Sequence, residues 1–382
     1  MYLAGGTLAT TTGTSRWAGP VFATANSQLS IGRGASLTLS GVLGGGNAIT
    51  QLGEGTLILS GQADVTTRNA ITTAAPVHVL QAGTLVLDYS TNNNSKLADT
   101  GSLTLGGSRV GGTLQLVGGS HVEVVSGITI GTGGNKIERL SGTGILRMNG
   151  IGRQVGGTVN FAQENIASTD TDNVSGILGA WATVGTSDWA FKSSFSEAGV
   201  DTGVTTGADK LVRRFTAYIN ISASNDWVLS STSGNMNVIA DNTQNNSLAN
   251  TLRFDSTDPD LVRRVTLSGA NLLNAGGILI TPGMAGSDAV IDGQGTIATG
   301  RQFNANLIND LIIIQNNTVS QAEISAIVAN ASANRADRVG TTADGSPSVT
   351  GITNTADLYV NMLVSGPGIA PNTRITAITA NG

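Results

Sequence analysis

The amino-acid sequence predicts an all-β fold of short stacked strands, a β-solenoid. Two observations point to it. A recurring run places glycine before alternating aliphatic and hydroxyl residues, and the 382-residue chain has 52 glycines but only 12% charged and 4% aromatic residues. A compact globular domain usually has about twice that charge. The aliphatic content still offsets the conformational entropy of folding, so we expect a narrow aliphatic core.

The recurring run is an internal repeat, and each copy is predicted to be one strand. Copies occupy residues 34–41, 55–61, 83–87, 101–106 and 112–116, with weaker ones at 127–131 and 144–148. Side chains alternate with period two, so Leu57 and Leu59 share an inner face while Thr56 faces outward. A strand of about five residues cannot bury its apolar face alone, so successive copies are expected to stack as hydrogen-bonded rungs. Insertions such as residues 90–95 then belong at corners.

Four segments follow from changes in this pattern. Residues 1–155 carry regular solenoid repeats, and residues 156–215 form a looser insert that contains aromatic residues. Residues 216–339 continue the solenoid, and residues 340–382 form a small β module with more proline and glycine. Within residues 320–336, Ser320 and Glu323 have the spacing of a helix capping box, but the all-β surroundings favour strand there.

Composition narrows the classes of partner. The chain has no cysteine, which excludes disulfides and thiolate metal sites, and its net charge is −5 without a Lys/Arg run. Nucleic acid is therefore not an expected partner. No window reaches the roughly 18 apolar residues of a membrane-spanning segment, and the first residues lack signal-peptide features. Any export signal is expected outside this sequence.

Acidic clusters are the first candidates for chemistry, because paired carboxylates act as general acids and bases and bind calcium. The candidates are Asp170 and Asp172, and the group Asp255, Asp258 and Asp260. All of them lie in turn-forming sequence, where aspartate most often accepts a hydrogen bond from the local backbone. The carboxylates are therefore interpreted as turn residues.

His78 and His121 are the two histidines, and they lie far apart within alternating sequence. Two separated imidazoles without a thiolate do not make a transition-metal site. The sequence therefore predicts no catalytic residue, no metal ligand and no cofactor.

The aromatic residues Trp181, Trp189, Phe191 and Phe195 cluster in the looser insert. Exposed aromatic rings stack on sugars and anchor interfaces, so these four are the candidate binding or interface residues. The competing interpretation, which the aromatic-poor composition favours, is that they seal a local hydrophobic bulge.

The wording of the repeat carries a family resemblance. Residues 17–21, 37–45 and 53–61, followed by 83–87, resemble the autotransporter-associated β-strand repeat, whose core reads Gly-x-Gly-Thr-Leu-x-Leu-Ser-Gly and precedes a second Gly-Thr-Leu-x-Leu. The likeness covers residues 4–335 and departs from the family at 62–66, where a different turn replaces Asn-Thr-Tyr-x-Gly. It implies a right-handed parallel β-helix in a long bacterial surface protein.

The function expected from this resemblance is a structural or adhesive segment of an extracellular, cell-surface filament, and not an enzyme. The expected partners are copies of the same chain in a homopolymer or the continuation of a giant polypeptide, with surface glycans as further candidates. Two alternatives stay open: a β-helical carbohydrate-active enzyme, and a phage tail fibre or spike.

Overall fold

The computed structural model describes residues 1–62, 77–107, 110–193, 210–227, 234–255, 262–299, 310–329, 340–343 and 345–352, and residues 364, 366, 368–370, 373 and 375–377. The fold is all-β with mostly parallel sheets. Over the described ranges the helical structure consists of one 3-10 turn, Pro282–Met284. The chain divides into two compact units, Met1–Ala217 and Tyr218–Gly382.

The first unit contains strands β1 to β21. They are β1 (Tyr2–Thr10), β2 (Thr14–Trp17), β3 (Val21–Ile31), β4 (Ser36–Leu39), β5 (Leu43–Gly44), β6 (Ile49–Leu52), β7 (Thr56–Leu59), β8 (Val77–Leu80), β9 (Ala82–Asp88), β10 (Ser102–Leu105), β11 (Gly111–Val117), β12 (Val122–Val124), β13 (Gly127–Ile130), β14 (Gly133–Arg139), β15 (Ile145–Arg147), β16 (Gly150–Arg153), β17 (Gly157–Phe161), β18 (Ala167–Ser168), β19 (Ala182–Val184), β20 (Asp188–Lys192) and β21 (Val212–Arg214).

These strands form three sheets. The first sheet has the order β1-β3-β6-β8-β10-β13-β16, with β5 also beside β3, and the second has the order β2-β4-β7-β9-β11-β14-β17-β19-β20-β21. The third sheet is β12-β15-β18. From β1 to β11 the chain moves between the first and second sheets, so most neighbours within a sheet are separated by a strand of the other. From β12 to β18 the chain passes in turn through the third, first and second sheets.

The second sheet places the repeat leucines in register. Leu37, Leu57, Leu85 and Leu114 lie opposite one another on β4, β7, β9 and β11, and all four are buried. Thr38, which lies between two inward leucines, is half-buried on the other face. The predicted assignment of inner and outer faces is therefore confirmed, and the leucine column is part of the hydrophobic core of the first unit.

At two repeat starts, Gly55 and Gly83, the neighbouring backbone approaches too closely for a side chain. A Cβ atom added to Gly55 would lie 2.4 Å from the carbonyl oxygen of Gly32, and one added to Gly83 would lie 2.4 Å from that of Gly55. Gly83 also has φ +80°, which L-residues with side chains rarely adopt. Both positions therefore require glycine for stacking.

The last strands of the second sheet reverse the pairing direction. β17 and β19 are parallel, but β20 pairs antiparallel with both β19 and β21. An antiparallel bridge between Ser168 and Leu211 places β21 beside β18, and the Asn165 amide donates to the Val212 carbonyl oxygen at 3.0 Å. We call β19, β20 and β21 the terminal ribbon. It links the ends of the second and third sheets.

The second unit contains strands β22 to β34. They are β22 (Ile219–Ile221), β23 (Asn235–Val238), β24 (Asn242–Asn245), β25 (Leu248–Phe254), β26 (Arg263–Ser268), β27 (Ala270–Ile280), β28 (Ala289–Gly293), β29 (Thr296–Thr299), β30 (Ile312–Gln315), β31 (Ala322–Ile324), β32 (Ile327–Ala329), β33 (Thr341–Thr342) and β34 (Val349–Thr350).

Two parallel sheets organise this unit. One has the order β22-β23-β25-β27-β29-β32 with β30 also beside β27, and the other has the order β24-β26-β28-β31. Strands β31 and β32 confirm the strand prediction for the part of 320–336 that is described; residues 330–336 lie outside the described ranges. β33 and β34 form a separate antiparallel pair in the C-terminal segment.

Buried asparagines connect successive strands in the second unit. The Asn250 Nδ2 atom donates to Asn235 Oδ1 at 2.8 Å, and Asn274 Nδ2 donates to Asn250 Oδ1 at 3.3 Å. Asn250 lies where the register of β25 against β27 shifts, between Ala249 and Thr251. We call these three residues the asparagine ladder. Its amide groups satisfy one another away from water, as buried polar groups require.

Candidate functional site

Three buried ionisable side chains, Tyr89, Lys96 and Glu123, lie together in the first unit. The connection between β9 and β10, residues 89–101, is called here the 89–101 loop. Its tip, Asn92 to Asn94, is exposed, whereas Lys96 and Leu97 are buried, and Leu97 belongs to the hydrophobic core. Residues 90–95, predicted to lie between strands, do lie in this connection. The loop thus has a solvated tip and a buried second half.

Glu123, in the middle of β12, fastens the buried half of the loop. Its side chain is fully buried. Oε2 accepts hydrogen bonds from the Tyr89 hydroxyl at 2.6 Å and the Lys96 amide at 2.9 Å, and Oε1 accepts one from the Leu97 amide at 2.8 Å. One carboxyl group therefore satisfies three donors of the loop and connects it to a strand more than twenty residues further along the chain.

The Lys96 ammonium is also enclosed. Its Nζ atom donates to the carbonyl oxygens of Gly61 at 2.7 Å and Asn92 at 2.6 Å, and it lies 5.0 Å from the centre of the Tyr89 ring. Two carbonyl dipoles and an aromatic face thus stabilise a charge that burial would otherwise disfavour.

Burial dominates the titration of this cluster. It raises the pKa of Glu123 from 4.5 to about 7, although the hydrogen bonds from Tyr89, Lys96 and Leu97 pull that pKa down. Burial also raises the pKa of Tyr89 well above its ordinary value, and the nearby Glu123 carboxylate adds to this effect. For Lys96, burial lowers the pKa against the attraction of Glu123 and Asp88. The carboxyl group therefore changes charge near neutral pH.

His121 and Ser95 lie on the more exposed side of the cluster. The His121 Nε2 atom is 3.1 Å from Ser95 Oγ, and Ser95 Oγ is 3.3 Å from Asp99 Oδ1. The His121 ring lies 5.5 Å from that of Tyr89. Burial lowers the pKa of His121, and Lys96 lowers it further. This polar chain gives the loop a second attachment beside Glu123.

His121 lies in alternating sequence, whereas no motif in the sequence singles out Glu123. The available signal was the position of Glu123 between Val122 and Val124, where alternation gives it the opposite face from its neighbours. Glu123 is buried and both valines are half-buried. A single carboxyl group at an inward position of a strand is the feature that could have revealed the site.

The described aromatic candidates all lie in or next to the terminal ribbon. Trp189 is fully buried, and Trp181 packs partly buried against the hydrophobic core. Phe191 contacts Phe215 edge to face, with 6.3 Å between the ring centres. Phe195 and its surroundings lie outside the described residues. The structure therefore brings three of the four into one region and buries Trp189 fully.

The described acidic candidates each contact a cation. Asp172 Oδ1 is 2.5 Å from Lys192 Nζ, and Asp170 Oδ1 is 2.5 Å from Lys210 Nζ. The hydrogen bond from Lys192 lowers the pKa of Asp172. These contacts attach the residues after β18 to Lys192 at the end of β20 and to Lys210, which precedes β21.

Asp255 pairs with Arg253 and accepts a 2.5 Å hydrogen bond from the Thr281 hydroxyl, whereas Asp258 and Asp260 lie outside the described residues. The backbone of His78 pairs within the first sheet, but its side chain is likewise outside the described set. Where the structure is described, no three His, Cys, Asp or Glu residues come close enough together to hold a metal ion.

No protein-family model matches this chain, and no curated protein or solved structure is significantly similar to it. The part of the chain that the structure describes contains no helix long and apolar enough to cross a membrane.

Proposed function

We propose that the chain is a right-handed parallel β-helix segment of an extracellular bacterial surface protein, with a structural or adhesive role in a filament. The observation that carries the proposal is the buried leucine column from Leu37 to Leu114, which continues in register across four parallel strands. Strands that return parallel through another sheet are connected in the right-handed sense in about 98% of cases, which supports the proposed hand.

The outer face supports a structural role. Thr56, Thr84 and Thr113 lie opposite one another on β7, β9 and β11, and each is half-buried on the face away from the leucines. Hydroxyl groups on an outward face form hydrogen bonds with water and carry no charge. The resulting surface resembles that of a scaffold more than that of a cleft enzyme, in which perturbed groups face a cavity.

The first strands support the proposed extension into a filament. β1 pairs on one side with β3, and β2 pairs on one side with β4. Edge strands carry a row of backbone donors and acceptors that pair readily with another strand. We therefore include in the proposal a further parallel strand at this edge, supplied by a longer polypeptide or by another copy stacked head to tail. Surface glycans remain proposed ligands of the assembled fibre.

The test combines imaging with an activity assay. Antibody-labelled electron microscopy of the source cells should show this segment on surface fibres, and negative-stain images of the purified chain should show rods that Leu57→Asp abolishes. Label confined to the cell interior would contradict the proposal. Turnover of bacterial or plant polysaccharides by the purified chain would also contradict it and would favour the β-helical enzyme.

A further inference from the structure

We propose that Glu123 is a proton-operated latch, which holds the 89–101 loop closed when its carboxyl group is protonated and favours opening of the loop when it is ionised. This inference concerns the 89–101 loop of the first unit, and it stands whether or not the chain forms a filament.

The contacts show how Glu123 holds the buried half of the loop. The exposed tip is attached through Asn93, whose Oδ1 atom accepts a 2.9 Å hydrogen bond from the Ser120 amide. The buried half is attached to β12 through Glu123, which accepts from both Lys96 and Leu97. Loss of the Glu123 contacts would expose Leu97 and the Lys96 ammonium together, so the buried half should leave the core as one piece.

The charged and titratable groups around the latch come from every neighbouring segment. Asp88 ends β9, Tyr89, Lys96 and Asp99 belong to the loop, and His121 precedes β12. Asp99 opposes ionisation of Glu123, while the nearby Lys96 ammonium favours it. No cation pairs directly with the carboxyl group among the contacts described, so burial determines the direction of the shift.

The sign of the pH dependence follows from linkage. In the closed loop the pKa of Glu123 is about 7, and in water it returns to about 4.5. Below 4.5 the carboxyl group is protonated in both forms. Between 4.5 and 7 the closed loop retains a proton that the open loop releases, so each increase in pH favours opening. A difference of about 2.5 pKa units changes the opening equilibrium by up to about 300-fold.

Hydrogen exchange of the Lys96 and Leu97 amides tests the latch, since both amides donate to Glu123. Protection factors, corrected for the intrinsic pH dependence of exchange, should fall in the full chain by up to about 300-fold between pH 4.5 and pH 8. In Glu123→Gln they should no longer fall as the pH rises, because no carboxyl group remains at this position to release a proton. The control Glu54→Gln removes a carboxylate that is half-exposed and should behave like the unmodified chain.

A second measurement does not depend on any variant. Carbon-13 NMR titration of the Glu123 carboxyl group in the unmodified chain should give a midpoint near 7. A midpoint near 4.5 would overturn the proposal, as would a fall in amide protection that persists unchanged in Glu123→Gln.

Discussion

Leu57 of β7 and Leu85 of β9 lie directly opposite each other on neighbouring parallel strands, and both are buried. Burying an aliphatic side chain of this size stabilises a fold by about 1.5–3 kcal/mol. Leu37 and Leu114 continue this pairing on the next strands on either side. A substitution at Leu57 or Leu85 therefore disturbs packing against two neighbouring strands.

Leu57→Asp should abolish cooperative folding of the first unit, because it places a carboxylate inside the leucine column. The matched variant Thr38→Asp should keep the native melting temperature, since Thr38 faces outward and is paired in register with Arg16. Thermal unfolding followed by circular dichroism compares the two. Equal loss of stability would show that the two faces are wrongly assigned.

Gly55→Ala should destabilise the first unit by about 1–3 kcal/mol, because the added Cβ atom would overlap the Gly32 carbonyl oxygen. Gly150→Ala is the control, because Gly150 begins β16 of the first sheet and a Cβ atom added there has no other atom within 4 Å. Its stability should change by less than about 0.5 kcal/mol. Chemical denaturation measures the free energy of unfolding of both variants. If Gly55→Ala were as stable as the unmodified chain, the close approach of the Gly32 carbonyl oxygen to Gly55 would be contradicted.

Asn250→Ala should destabilise the second unit by about 2–3 kcal/mol, since it removes the middle of the asparagine ladder and takes away a partner from Asn235 and Asn274. Asn245→Ala changes the same residue type at an exposed position and should have little effect. The free energy of unfolding of the two variants decides the outcome. A smaller effect for Asn250 than for Asn245 would argue against the ladder.

Trp189→Ala should destabilise the first unit by about 3–5 kcal/mol, because Trp189 is the largest fully buried side chain in the described structure. Trp17, which is 43% exposed, supplies a matched tryptophan, and Trp17→Ala should cost far less. Urea unfolding monitored by far-UV circular dichroism compares them. If Trp189→Ala left stability unchanged while weakening binding to a glycan, the interface interpretation of this aromatic group would be favoured instead.

Tyr89→Phe should raise the pKa of Glu123 above 7, because it removes a hydroxyl donor that lowers that pKa. Tyr2→Phe is the control, since Tyr2 is largely exposed in β1 and lies far along the chain from the cluster. Carbon-13 NMR titration of the Glu123 carboxyl group measures both midpoints. A downward shift in Tyr89→Phe would contradict the 2.6 Å hydrogen bond.

The inner and outer faces of the repeat could be predicted because alternation is local. Once residues 56–59 form a strand, Leu57 and Leu59 must share a face, whatever the strand pairs with. Glycine at the start of each copy was equally visible in the sequence. Its physical reason, the approach of the Gly32 carbonyl oxygen to Gly55, required the register between strands.

The contacts of Glu123 could not be predicted, because they depend on the length of the corner between β9 and β10. Alternation gives the face of Glu123, but it does not say which residues of the 89–101 loop come beneath that face. The direction of β20 is another non-local property. Alternation is the same in parallel and antiparallel strands, so the reversal at Trp189 left no mark in the sequence pattern.

The terminal ribbon also limits how the first unit can change by duplication of its repeats. A duplicated strand placed between β4 and β11 would have parallel neighbours on both sides, so the second sheet could gain a strand without a change in the direction of any other pairing. A copy placed after β19 would have to pair with β20, which runs the other way, and β21 already lies beside β18. Length variation in this unit is therefore expected among its earlier strands, while the segment from β19 to β21 stays constant in length.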